Sequence, residues 1–455
     1  MRSPELKKWM TAVVLSVVSL VGCVSVDADA HRAQEAVRAG TPEQAVAWAE
    51  TLATESVYSK SLGMVEAGRL ALLAGDSAKA ERWFRAAVDS AVDRKESSPD
   101  IKLGDVGNTA LAATVTDDRT RTYCLAPYEL NLALGYGILA ELMNGKREDA
   151  LVDARLAVYV QDSLAKTYGA DLQKAAESSD AQATSAGARV CAEQSAALRE
   201  MMAATRNSWE NPVLWWLTGV LFESDGEMEM AAQSYRKAAA CRPDNPVFAK
   251  AVARADADVR TPAHGCAKLL VLYEEGLVPP RASLKIPVPI YTAMSIDIPT
   301  YGEKAAYQPH AVAVSGLTNL VAAAPALDVR ALAARDLDER MPGVVVRNMT
   351  RAAVQAGAQA AVNAGGNEYA KLAVLAVNAV ASAIRRADTR SWVTLPDGQQ
   401  VWSEDAMSPG VYELGVVVNE RTIQVPVTLA AGDVKLVWIA DCGARVQTAV
   451  VSLRP

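Results

Sequence analysis

The sequence predicts an α+β multidomain fold: a helical-repeat solenoid followed by a mixed domain with an antiparallel β-sheet and a long helical hairpin. Three observations predict it. A glycine followed five positions later by alanine recurs at the head of helical patterns along the first 250 residues. Near residue 260 the apolar period changes from helical to alternating. The chain of 455 residues is 51% hydrophobic but only 5% aromatic, so its apolar content is mostly Ala, Val and Leu, as an Ala-packed array plus a Val-rich sheet requires. A formal net charge of −7 and the lack of any Lys/Arg run argue against a nucleic-acid partner.

Residues 1–22 read as a secretory signal. Arg2, Lys7 and Lys8 precede the apolar stretch from Trp9 to Leu20, which is too short to span a bilayer comfortably. Leu20-Val21-Gly22-Cys23 then resembles the bacterial lipobox, in which small residues admit the backbone to a protease and the thiol takes a diacylglyceryl group. The expectation is lipidation at Cys23, a short tether over residues 23–30 and a body held at a membrane by its acyl chains. Val24-Ser25 after the cysteine, in place of Asp, resembles lipoproteins sent to the outer membrane, and the body is expected to face the periplasm.

Residues 31–258 are assigned to the helical array. The Gly/Ala pairs are Gly40/Ala45, Gly75/Ala80, Gly145/Ala150 and Gly226/Ala231; glycine intervals of 35, 70 and 81 suggest one unit, two units and an insertion. Residues 212–245 carry most of the tetratricopeptide signature through Trp215, Gly219, Phe222, Ala231, Tyr235, Ala238 and Pro243, with Thr218 where Leu is usual. Those residues predict packing: glycine and alanine allow two helices to approach, aromatics fill the groove between them, and Pro243 ends the second helix. Residues 61–94 and 131–164 match less fully, and 95–123 reads as a loop with one short element. Residues 162–206 read as Ala-rich helix, with Asn207 and Ser208 as cap candidates before Trp209.

Residues 262–455 are assigned to the C-terminal α+β domain. Lys268 to Glu275 reads as a strand, 283–290 and 294–299 as edge strands that tolerate proline, and Asp328 to Met341 as a helix stopped by Pro342. A charge-poor stretch over 344–386 reads as a helical hairpin hinged at Gly365-Gly366, with membrane or partner insertion as the other reading. Beyond Trp392 the segments 411–418, 422–429, 435–439 and 446–453 read as a meander.

The segments Tyr273-Glu-Glu-Gly276-Leu-Val-Pro-Pro, Ile296-Asp-Ile-Pro-Thr-Tyr301, Ala331-Leu-Ala-Ala-Arg335-Asp and above all Asp388-Thr-Arg390-Ser-Trp392-Val-Thr-Leu-Pro396 are together similar to an uncharacterised family of proteobacterial outer-membrane lipoproteins. The resemblance implies a tetratricopeptide-like front half, a C-terminal domain bearing the Asp-x-Arg-Ser-Trp-x-x-Leu-Pro element, and a part in envelope assembly. Asp388, Arg390 and Trp392 read either as a recognition cluster or as a structural lock, the guanidinium stacked on the indole.

No nucleophile–base, metal or phosphate-loop motif is legible, so no catalytic residue, metal or cofactor is assigned and the chain is not expected to be an enzyme. Glu274 and Glu275, adjacent on a strand, should point to opposite faces. With Cys23 lipidated, Cys124, Cys191, Cys241, Cys266 and Cys442 remain, and an oxidising compartment favours a disulfide, Cys241–Cys266 or Cys124–Cys191 being nearest in sequence. The functional expectation is a docking or assembly scaffold binding envelope proteins in a tetratricopeptide-like groove. The alternative is a homo-oligomeric component of an envelope pore or secretion system built through 344–386.

Overall fold

The computed structural model describes residues 29–93, 100–101, 118–182, 185–287, 295–315, 321–365 and 386–454. It is a mixed α/β protein in three layers, helices on one side and two β-sheets beyond them. Signal, lipobox and most of the tether lie outside these residues, as does Gly366 onward in the second half of the predicted hairpin.

Helix α1 covers 29–38, followed by α2 (Glu43–Glu55), α3 (Lys60–Ala74), α4 (Ser77–Ala91), α5 (Pro127–Met143), α6 (Arg147–Gln182), α7 (Ser185–Leu198), α8 (Pro212–Asp225), α9 (Met228–Cys241) and α10 (Pro246–Asp256). The four repeat glycines explain the helix-pair joints. Gly40, Gly75, Gly145 and Gly226 all have φ between 73° and 88°, a left-handed conformation that costs glycine nothing, and each sits between two paired helices. The alanines five positions on, Ala45, Ala80, Ala150 and Ala231, are all buried where the pairs cross. A Cβ on Gly219 would stand 2.6 Å from the Tyr235 ring, and one on Gly68 2.9 Å from Phe84, so α8/α9 and α3/α4 close only because both positions lack a side chain. Thr218, the departure from the signature, is buried and donates to the Trp215 carbonyl at 3.0 Å. The insertion implied by the longest glycine interval is the extension of α6 to 36 residues plus α7. The cap before α8 is Asn211, whose side chain accepts from Leu214 N; Asn207 instead closes a local turn on Trp209 and Glu210.

After α4 a short ribbon pairs β1 (Val92–Asp93) with β2 (Asp100–Ile101). The five-stranded sheet runs β13-β12-β3-β9-β8: β3 is Ala267–Glu275, β8 Ala324–Asp328, β9 Gly398–Met407, β12 Val434–Asp441 and β13 Gln447–Ser452. The four-stranded sheet runs β11-β10-β6-β7, with β6 Val312–Ser315, β7 Val321–Ala322, β10 Gly410–Val418 and β11 Arg421–Leu429. A ribbon of β4 (Arg281–Pro287) and β5 (Ser295–Tyr301) packs on α11 (Val329–Gly365). Leu270, Leu272, Leu436 and Trp438 face the helices, whereas Leu269, Val271, Val437 and Ile439 face the other sheet, so β3 and β12 are apolar on both faces.

The four-stranded sheet is antiparallel, as expected, whereas the five-stranded sheet is mixed, because β12 pairs parallel with β3 from Val434/Lys268 to Asp441/Glu275. Three expectations need correction. The C-terminal strands are not one meander: β10 and β11, which alternate buried and exposed, join the half-solvated sheet, while doubly apolar β12 takes a central place in the other. Pro342 does not stop its helix; α11 runs through it, held by packing on α7, α6 and β5 that outweighs the roughly 3 kcal/mol a helical proline costs. Among the described residues neither expected disulfide, Cys241–Cys266 nor Cys124–Cys191, is formed; Cys241 ends α9 and Cys266 precedes β3, while Cys124 lies ahead of α5 and Cys191 within α7.

The core also does not divide at residues 258–262. One apolar cluster joins Leu70, Ile138 and Leu221 of the array to Leu272, Trp392, Trp438 and Leu453. Helix α3 buries 11 of its 15 residues, α5 15 of 17 and α8 12 of 14, against 6 of 15 for α4. The first helices of these pairs are therefore enclosed between the second helices and the chain's own C-terminal region.

Candidate functional site

The site begins with polar residues on apolar helices. From Leu62 onward helix α3 is apolar but for Glu66 and Arg69 near its middle, and α5 carries Glu129 and Tyr136 in a similar setting. A buried backbone segment needs partners for its N–H and C=O groups, and these residues supply them to 392–394. Glu66 accepts from Val393 N at 2.7 Å and from the Thr394 hydroxyl at 2.5 Å; Glu129 accepts from Trp392 N at 3.2 Å. Gln34 of α1 donates to the carbonyls of Val278 and Val393, and Arg69 to that of Thr394. The Asp-x-Arg-Ser-Trp-x-x-Leu-Pro element is thus a strap bonded into the helical array along its length.

Arg390 holds the head of this strap. Its Nε and Nη2 grip Asp388 at 2.8 and 2.7 Å, Nη1 donates to Tyr58 O and Ser59 Oγ, and Nη2 also reaches Asp118 O and Arg121 O. The guanidinium lies 5.6 Å from the centroid of the Tyr123 ring, not on the Trp392 indole. Trp392 points into the core against Phe84 and Tyr136 and donates Nε1–H to Thr394. Sequence reasoning grouped Asp388, Arg390 and Trp392; the structure brings the first two together and sends the third into a different environment.

One helical turn from Glu66, Arg69 Nη1 lies 2.8 Å from Glu274 Oε2, both side chains fully buried. The guanidinium is flanked by the rings of Tyr136 and Trp438 at 4.6 and 5.8 Å, and Glu274 also accepts from Tyr136 and Gln399. Glu275 emerges on the opposite face and takes His310 N, His310 Nδ1 and Gln400. Burial holds the Glu66 carboxyl up at about 8, against its hydrogen bonds to Thr394 and Val393. Burial likewise pushes the Cys442 thiol beside Arg69 to about 12, which leaves it a poor nucleophile.

A cleft of about 610 Å³ opens where strap, array and ribbon meet. Its wall combines Trp48, Leu62 and Val393 with Glu66, Arg281 and Arg390, and exposed His31 and Lys285 stand at its margin. Such a mixed lining suits an extended chain or an organic ligand with polar ends. Sequence reasoning missed Gln34, Glu66, Arg69, Glu129 and Arg281; the available signal was an isolated charge within an otherwise apolar helix, as at Glu66 and Arg69.

Among the other expected residues, Trp215, Phe222, Ala231, Tyr235 and Ala238 are buried in the α8/α9 pair and Pro243 follows its end, while Cys23 lies outside the described residues. Among the described residues no group of three or more His, Cys, Asp or Glu is placed to hold a metal, and no helix is long and apolar enough to cross a membrane. Compared with known protein families, curated proteins and solved structures, the chain matches none.

Proposed function

We propose that this protein is a lipid-anchored lipoprotein of the outer membrane, facing the periplasm, that serves as a docking or assembly factor for envelope proteins. Its helix pairs are read as tetratricopeptide-like, which the left-handed glycines and the Gly219/Tyr235 approach support. The docking surface is assigned to the 610 Å³ cleft and not to a groove along α3, α5 and α8, because the chain's own strap and sheet cover those helices. The single observation carrying this reading is the position of that cleft. Ala30 and His31 line it, and seven residues from Cys23 to Ala30 span at most about 25 Å, so a lipid on Cys23 would keep the cleft beside the membrane surface.

A photocrosslinking residue placed at Lys285 or at Val411 in the full chain tests the proposal in intact envelopes. Lys285 borders the cleft and Val411 stands exposed on the four-stranded sheet. The expected outcome is a fixed set of envelope proteins captured from Lys285, lost in Cys23→Ala and absent from Val411. Equal capture from both positions would sink the cleft assignment. Association of the unlipidated body with vesicles, or ring formation by it, would favour the pore-component reading, which now rests on the part of 344–386 beyond the packed first half of α11.

A further inference from the structure

A second cleft of about 310 Å³ lies behind the strap, and Arg281 and Arg390 line both. Helix α11 presents Leu337, Arg340, Val344 and Arg347 to it at helical spacing, so two guanidiniums and two apolar side chains form one wall. Arg121, Thr122, Tyr123, Cys124 and Pro299 complete it, and the only carboxylates lining it among the described residues are Asp118 and Asp388.

Those carboxylates are already committed. Asp388 pairs with Arg390 at 2.7 Å, and Asp118 pairs with Arg351 and stands 3.5 Å from Arg347 Nε. Behind the wall Asp336 is shared by Arg281 at 3.3 Å and Arg340 at 2.8 Å. With Arg121, six guanidiniums thus gather around three aspartates. The other carboxyls coupled to the group, Glu129 and Glu339, are both pushed up by burial, Glu339 to about 7. The guanidinium of Arg121 makes no hydrogen bond or ion pair among the described residues.

Two of these guanidiniums are only partly engaged. Arg347 Nε faces Asp118 at 3.5 Å without good hydrogen-bonding geometry, and Arg340, paired with Asp336 through Nε, keeps a buried Nη2 beside Tyr168. Buried guanidinium N–H groups in poor hydrogen-bonding geometry are costly, and a further acceptor such as an anion would complete them. Burial and the like charges of Arg121 and Arg351 hold Arg347 below its usual value although Asp118 opposes them, as expected of a locally overcharged cluster.

We propose that this cleft binds an oxyanion, a phosphate or carboxylate group carried by a small organic molecule whose apolar part lies against Tyr123, Leu337 and Val344. The excess of guanidiniums lining the cleft suits the paired oxygens of either group, and the cleft keeps that contact from bulk water. The inference does not depend on the docking reading, since it concerns a different cavity. Because Arg390 holds the strap from the same wall, an occupied cleft would tighten the strap on the array.

The test is isothermal titration and thermal unfolding of the full-length protein in detergent with phenyl phosphate, benzoate and inorganic phosphate, against sodium chloride of matched ionic strength. Saturable binding of at least one probe, with a rise in unfolding temperature of several degrees beyond the chloride control, is expected. The better of phenyl phosphate and benzoate identifies the group. Arg121→Ala, which removes a guanidinium without an ion pair among the described residues, should weaken binding about tenfold, read as the shift from the variant's own unliganded unfolding temperature. Arg347→Gln should abolish the ligand effect, read as the shift from the variant's own unliganded unfolding temperature. Stabilisation by none of the three probes beyond chloride, or equal stabilisation of wild type and both variants, would overturn the proposal.

Discussion

Glu66 and Arg69 lie one turn apart on α3, both fully buried and both facing the C-terminal half of the chain, yet their charges are accommodated in opposite ways. Arg69 meets Glu274 and two aromatic rings, so a buried cation is balanced by a buried anion. Glu66 meets a backbone N–H and a hydroxyl but no cation, and its nearest charged influence is another carboxyl, Glu129. Its carboxyl therefore stays protonated through neutral pH. One part of the seam between array and sheet is locked by an ion pair, and the next part by a hydrogen-bonded acid that loses its proton near pH 8.

The largest effect is expected at the ion pair. Arg69→Ala leaves Glu274 buried without its cation and should destabilise the protein by about 3–5 kcal/mol in urea unfolding. Arg69→Met combined with Glu274→Leu should recover most of that loss; a double variant as unstable as the single one would mean that hydrogen bonding to Tyr136 and Gln399, not charge, holds this part together.

Next in size is Arg390→Lys. An ammonium cannot grip Asp388 with two nitrogens while reaching the Tyr58, Asp118 and Arg121 carbonyls, so a loss of about 3 kcal/mol is expected, with proteolysis appearing first near the strap. Wild-type stability in this variant would remove Arg390 from the seam.

Away from the seam, Gly219→Ala should cost about 1–3 kcal/mol, because its methyl would sit 2.6 Å from the Tyr235 ring and force α8 and α9 apart. A compensating Tyr235→Leu should restore part of the stability, and its failure to do so would place the strain elsewhere.

The finest distinction is pH. The unfolded chain ionises Glu66 from about 4.5, whereas the folded chain keeps the proton until about 8. Folding stability from this group is fully present below 4.5 and falls as pH rises through that window, by up to about 1.4 kcal/mol per pH unit. Asp328, Glu141 and Glu339, each held up at about 7 by burial, slope the same way. The difference between wild type and Glu66→Gln isolates Glu66: the variant should show a flatter profile and gain relative stability above pH 6. Parallel profiles would show that Glu66 is ionised in the folded protein.

Much of the helical half was legible because its signals are local. Gly75 and Gly226 break helices through backbone conformation, and Gly219 and Tyr235 meet within one helical pair, so short windows of sequence contain both partners. The strap was legible only as a motif. Asp388 and Arg390 are two residues apart and could be paired from sequence, but Glu66 lies 327 residues from Val393 and Glu129 263 from Trp392. Pro342 misled for the same reason in reverse: a local rule predicts a stop, and packing on α7, α6 and β5 overrides it.

What the sequence alone determined is the set of elements: helix pairs closed by left-handed glycines, a doubly apolar strand at Ala267–Glu275, alternating strands after residue 410, and Glu274 and Glu275 on opposite faces. These follow from backbone conformation and from periods of 3.6 and 2, which act over a few residues. Only the tertiary structure decided that the array closes on its own sheet, that β12 runs parallel to β3, and that guanidiniums scattered from residue 121 to residue 390 converge on one cleft. Those outcomes depend on which buried charges find partners across hundreds of residues, and solvent exclusion sets that match only once the chain has folded.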